Sequence, residues 1–164
     1  MSAAFALAVE LTAYGAFAVL SVVLTVIDLR THRLPDRLVL PAYPAAAVLL
    51  ALAAFLRADP ARLLAVAGGA IVLFAFYLLL RMLRPGAMGG GDVKLAGLIG
   101  AFLGYLGWDA VLGGAIAGFV FGGVFAAVLL LARRARAANR LAFGPWMLLG
   151  AWAAILAVAA SAFS

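Results

Sequence analysis

The 164-residue chain carries a formal net charge of +6, and the apolar set AVILMFWYC makes up 69% of it against 11% charged residues. Ordinary globular domains hold roughly a quarter charged residues, so this composition excludes a water-soluble domain and points to lipid as the medium. The chain has no cysteine, which excludes disulfides, thiolate catalysis and thiolate metal sites.

A hydrocarbon core about 30 Å thick takes about 20 helical residues to cross. Six apolar segments are predicted as spans: Ala4–Ile27, Leu38–Leu56, Leu63–Leu83, Val93–Gly107, Ala110–Ala132 and Leu141–Phe163. The fourth is short and glycine-laden. Because the runs are continuous rather than alternating, a β-barrel is excluded. The fold class is therefore all-α, a polytopic bundle of six transmembrane helices forming a single membrane-embedded domain over residues 1–164. A removable signal peptide is not expected, since the start lacks a basic stretch and the first apolar run is too long. Gly100 and Gly104, and Gly114, Gly118 and Gly122, repeat at four-residue spacing, the pattern that lets membrane helices approach closely.

The positive charge is unevenly placed. Arg30, Arg33 and Arg37 lie in the first loop, Arg81, Arg84 and Lys94 flank the third, and Arg133, Arg134, Arg136 and Arg140 fill the fifth. Only Arg57 and Arg62 stand in the second loop. The positive-inside rule then puts loops one, three and five in the cytoplasm and both termini outside. The basic balance is thus a topology signal with contacts to anionic lipid heads, and no nucleic-acid partner is expected.

Six acidic residues complete the charge map: Glu10, Asp28, Asp36, Asp59, Asp92 and Asp109. Asp59 and Asp109 fall in the short outer loops, where a solvated charge needs no special account. Glu10 lies about two turns inside the first helix and either snorkels outward or bonds a neighbouring helix. The other three gather at the cytoplasmic face. Asp36 follows Pro35 at the start of the second helix, where a capping carboxylate is usual. Asp92 opens the fourth helix after Gly89, Gly90 and Gly91. Its charge suits a helix N-terminus, but a cap alone does not need three glycines. They are expected to form a non-helical segment, at backbone angles closed to other residues, with room for close approach of another chain. Gly97, by contrast, is expected on regular helix, where alanine would be mild. Asp28 ends the first apolar run, at a helix C-terminus where the dipole disfavours an anion.

Two carboxylates without cysteine, and with a single histidine, are best matched to aspartic proteolysis. A close pair cannot readily ionise together, so the two share a proton. One then takes a proton from water while the other polarises the scissile carbonyl. Asp28 and Asp92 are the candidate catalytic pair, with Asp36, Gly89, Gly91 and Lys94 in support. Lys94 does not share a helical face with Asp92, which leaves lipid, another carboxylate or an acidic substrate group as its partner. Gly86 to Lys94 matches a phosphate loop by composition only. His32 with Asp28 and Asp36 could hold a cation, but an arginine-rich loop favours a solvated histidine, and no metal or cofactor is expected. The alternative reading is a small cation- or proton-coupled transporter subunit using the same carboxylates.

These residues carry a resemblance. "GGGDVKL" resembles the GxGD signature of the type IV prepilin peptidases, the GxGD-type membrane aspartic peptidases. "DLRTHRLPDRL" is similar to the segment that bears their first aspartate, and "LAFGPWMLLGAW" to the Phe-Gly-Pro entry into their last helix. The three matches occur in order and cover essentially the whole chain. The resemblance implies a membrane endopeptidase of the inner (cytoplasmic) membrane, with its active site at the cytoplasmic face. Its implied partner is a pilin-like precursor with a short basic leader peptide and an N-terminal hydrophobic helix. Asp28 and Asp92 match the family's catalytic pair, and Asp36 its Leu-Pro-Asp carboxylate. The chain looks like the compact form without the N-terminal Cys-x-x-Cys region, and no loop for a methyl-donor cofactor is apparent.

Overall fold

The computed structural model describes residues 3–84, 88–132 and 142–162. All regular structure among them is helical: α1 (Ala3–Thr31), α2 (Asp36–Leu56), α3 (Ala61–Leu83), α4 (Gly90–Leu106), α5 (Trp108–Leu131) and α6 (Gly144–Ser161). Five of these, α4 excepted, are long and apolar enough to cross a membrane. At 17 residues and about 1.5 Å of rise per residue, α4 falls short of a full span. It is also the most enclosed element, buried at Val93 and at every position from Leu95 to Tyr105. It packs along α2, α3, α5 and α6 and meets α1 through Phe102, whose ring stacks on Phe17 and whose carbonyl accepts from the Tyr14 hydroxyl. A helix surrounded by protein needs no lipid-matched length, which accounts for the short fourth segment. The outer helices instead show large apolar side chains such as Leu11, Val22, Leu64, Ile71, Ile116 and Leu131 at their exposed faces, as a lipid-facing surface requires.

The glycine stripes pack as their spacing implies. A Cβ on Gly69 of α3 would fall on the Gly100 carbonyl of α4, and one on Gly104 would fall on the Ala65 carbonyl of α3. Gly150 of α6 is similarly pressed against Gly114 and Gly118 of α5. Backbone lies directly on backbone in both pairs, the close approach that gives membrane helices their dispersion energy.

Several helix ends differ from the sequence reading. α1 runs past Ile27, the predicted end of the first span, to Thr31, and Asp28 lies in its last turn, at the helix C-terminus where the sequence places it. The helix stops where His32 takes a left-handed φ of 53° and Leu34 precedes Pro35, a position that disfavours helix. Asp109 belongs to the first turn of α5 rather than to a loop. That turn is tight because Gly107, at φ 126°, adopts an angle open chiefly to glycine. Residues Arg133, Arg134, Arg136, Arg140 and Leu141, and Gly86 of the phosphate-loop comparison, lie outside the described residues.

At the bundle end away from the Asp28 cleft, Glu10 bonds neighbouring helices rather than snorkelling. Its Oε1 accepts from Arg57 Nε at 3.0 Å and from the Tyr105 hydroxyl at 2.6 Å, while Oε2 pairs with Arg57 Nη2 at 2.6 Å. Asp59 pairs with Arg62 at 2.9 Å, and the Arg62 guanidinium stands 5.0 Å above the Tyr105 ring.

Candidate active site

Asp28 and Asp92 are the two buried carboxylates among the described residues, 3% and 8% exposed. Burying a carboxylate is costly unless it is hydrogen-bonded, and each finds one backbone donor. Asp28 Oδ2 accepts from the Gly144 amide at 3.1 Å. Gly144 opens α6, so the positive end of that helix faces a carboxylate that its own helix disfavours. Pro145 at the helix start brings no N–H of its own, consistent with its usual place there. A Cβ on Gly144 would stand 2.6 Å from Asp28 Oδ2, so the contact depends on glycine.

Asp92 is the third residue of α4, and its Oδ2 accepts from the Gly89 amide at 3.0 Å. This is the reciprocal half of a capping box. The expectation of a non-helical triple glycine is therefore corrected. Gly90 and Gly91 lie in the first turn of α4, and Gly89 is extended at φ −71°, an angle any residue adopts. What the glycines supply is space. A Cβ on Gly91 would stand 2.7 Å from Leu34 Cβ, and one on Gly90 would fall on the Arg81 guanidinium. Gly97 does lie on regular helix, but a Cβ there would fall on the Tyr43 hydroxyl, so the space that a mild alanine needs is already taken.

Both carboxylates line one cleft of about 1010 Å³, together with Ile27, His32, Leu34, Asp36, Met88 and Phe143 among others. They are near enough for their charges to interact, and Arg81 reaches Asp92 in the same way. Each aspartate uses Oδ2 for its backbone bond. Neither Oδ1 has a protein partner among the described residues, and neither is sealed from the cleft. Two acceptor oxygens thus remain open for water or a substrate carbonyl.

Asp36 does not act as a side-chain cap, for the residue before it, Pro35, takes the capping position without one. Its two oxygens instead accept from Lys94 Nζ at 2.8 Å each. Of the partners left open for Lys94, another carboxylate is the one found. His32 Nδ1 lies 3.2 Å from the Asp28 carbonyl oxygen, turned to backbone rather than to a carboxylate. No group of three metal-ligating side chains forms among the described residues. Sequence reasoning missed Leu34, Gly144 and Arg81. Leu34 is 8% exposed and wedges between Gly91 and Gly144, so it touches the backbone beside both aspartates. The available signal was the small residue at each contact, visible in the sequence without its partner.

Residues 15–131 match the Type IV leader peptidase family. Among curated proteins, a prepilin leader peptidase/N-methyltransferase of Aeromonas salmonicida (strain A449) is 32% identical over 136 residues, 82% of this chain and 45% of that protein. The protein of the same name from Stutzerimonas stutzeri is 28% identical over 133 residues, covering 81% and 45% of the two chains. That of Pectobacterium carotovorum subsp. carotovorum is 32% identical over 139 residues, covering 84% and 49%. The chain spans about half the length of the curated relatives it matches. No solved structure matches it.

Proposed function

The chain belongs to the type IV leader peptidase family, and from that membership and the two-carboxylate cleft we propose that it is a membrane aspartic endopeptidase. Its substrates are pilin-like precursors, cut after a short basic leader peptide at the cytoplasmic face of the inner membrane. The ten basic residues of loops one, three and five support that orientation, with both termini outside. The methyl transfer in the relatives' names is not part of this proposal.

The observation that carries the reading is the pair of open Oδ1 atoms in one cleft. The reaction begins with one aspartate ionised and the other protonated, the state that two neighbouring carboxylates favour. The ionised member takes a proton from water as the water oxygen bonds to the scissile carbonyl carbon. The protonated member gives its proton to the carbonyl oxygen. Collapse of the tetrahedral intermediate breaks the C–N bond: the leaving nitrogen takes the proton held by the first aspartate, and one hydroxyl of the intermediate returns its proton to the second as the C=O bond re-forms, which restores the starting pair. The Gly144 and Gly89 amides hold each carboxylate in place through the oxygen that does not react. Asp36, Gly89, Gly91 and Lys94 are the supporting residues.

The test is incubation of detergent-solubilised protein with a leader-bearing pilin precursor, read as a size shift on a gel. Cleavage by the intact chain, and none by Asp28→Asn or Asp92→Asn, is the expected result. Cleavage that survives in either variant would overturn the two-aspartate mechanism.

A further inference from the structure

α4 is held in different ways at its two ends. From Gly100 to Gly104 it lies on α3 through bare backbone. Such a surface brings helices close but has few side chains to stop one from sliding along the other. Near Asp92, where Leu34 packs on Gly91 and Arg81 on Gly90, the side-chain hydrogen bonds that tie α4 to another helix come from α2. The Tyr43 hydroxyl donates to the Lys94 carbonyl at 2.5 Å, and Asp36 takes the Lys94 ammonium at 2.8 Å on both oxygens. Lys94 stands two residues after Asp92 and is thus seized at its backbone and at its side-chain tip. Gly97, one turn on, leaves the space that the Tyr43 ring occupies, with its Cζ 3.3 Å from where a Cβ would lie.

We propose that Tyr43 and Asp36 are positioning residues which, through Lys94, fix the setting of α4 that presents Asp92 to Asp28. Asp28 belongs to the α1–α6 side of the cleft, where Gly144 holds it. Asp92 is bonded only within its own helix end. The separation of the two carboxylates therefore depends on where the start of α4 sits. The Lys94–Asp36 pair is partly exposed, at 35% and 56% of the side chains, and such pairs add little to stability. Its contribution here is geometric. A misplacement of about 1 Å at a reacting group can cost on the order of a hundredfold in rate.

The consequence for rate rests on the peptidase reading, whereas the geometry does not, and two measurements keep them apart. In the first, Tyr43→Phe should lower kcat on a leader-bearing precursor by about ten- to a hundredfold, with KM nearly unchanged. Asp36→Lys and Lys94→Asp should each do the same, and the double exchange should recover most of the loss. The second measurement needs no activity. The chain has no cysteine, so spin labels at Leu29→Cys on α1 and Met88→Cys just before α4 report one distance. That distance should shift or broaden in Tyr43→Phe. An unchanged distance in Tyr43→Phe overturns the proposal, whatever the rate does. Should the wild-type chain not cleave at all, the peptidase reading falls and the distance alone decides.

Discussion

Replacing Gly91 with alanine separates the two purposes a glycine can serve. Gly91 lies in the first turn of α4, where its backbone angles are open to alanine, and alanine is the better helix former by about 1 kcal/mol. Conformation therefore predicts a neutral or helpful change. Space predicts the opposite. The added carbon would lie 2.7 Å from Leu34 Cβ and 3.2 Å from the Leu34 carbonyl oxygen, whereas apolar carbons settle about 3.5–4.0 Å apart. Leu34 or the start of α4 must yield by about 1 Å, at an overpacking cost of about 1–3 kcal/mol. Because Leu34 also lies against Gly144, either movement reaches one of the aspartates. An error of about 1 Å there lowers turnover on the order of a hundredfold. The assay is the gel shift of a leader-bearing precursor at matched enzyme levels, beside a thermal melt in detergent. Gly113→Ala on α5, with nothing within 4 Å of the added carbon, is the control and should behave as wild type. Wild-type turnover in Gly91→Ala would refute the packing argument.

Other expectations follow from the same contacts. Gly144→Ala puts a carbon 2.6 Å from Asp28 Oδ2 and should reduce cleavage at least tenfold, order of magnitude, while circular dichroism shows helix content intact. Gly97→Ala, which displaces the Tyr43 hydroxyl, should impair turnover in the same assay and so reverse what the sequence suggested. Asp59→Asn touches only the surface pair with Arg62 and should leave the cleavage rate within about twofold of wild type. Serine-directed and thiol-directed inhibitors and chelators should leave the cleavage rate unchanged. Loss on chelation with recovery on adding a divalent ion would instead favour the cation-binding alternative.

The sequence shows the spans because apolar length is a local property: α2, α3 and α5 begin or end within a few residues of the apolar runs. It shows α4 less well. A short apolar run reads the same whether it meets lipid or is wrapped by five helices, and only packing distinguishes them. The candidate site is legible by anomaly. Asp28 stands at the wrong end of a helix dipole, which marks it, but the remedy is an amide 116 residues away. No periodicity carries that information. The glycines before Asp92 were visible and so was their need for room, but the special backbone angles expected of them were not found, since φ is a torsion of the folded chain, and Leu34, the neighbour that takes the room, comes from another loop. Helical geometry set Lys94 apart from Asp92 correctly, yet its partner Asp36 is 58 residues distant and only the fold selects it.

Glu10, Asp28, Asp36 and Asp92, the four carboxylates that bond or pack between elements of the bundle, divide by how fully their oxygens are used, and that division predicts which of them matter to chemistry. Glu10 has both oxygens engaged, by Arg57 and Tyr105, and Asp36 has both on Lys94. A carboxylate kept for structure is expected to be satisfied in this way, because an unmet buried acceptor costs about 1–3 kcal/mol. Asp28 and Asp92 are more deeply buried than Asp36, and yet each has only one oxygen on a protein donor. Their arrangement forgoes stability in favour of reach into the cleft. Glu10→Gln should therefore cost stability, about 1 kcal/mol once the exposure of Arg57 is allowed for, and leave kcat within about twofold. Asp28→Asn keeps the Oδ acceptor for Gly144 and removes the anion, so it should abolish cleavage with a melting temperature at or above wild type. Paired melts and cleavage assays on the two variants test the contrast. If Glu10→Gln lost turnover without losing stability, or Asp28→Asn unfolded the protein while Glu10→Gln did not, the division of the carboxylates into structural and reacting groups would be wrong.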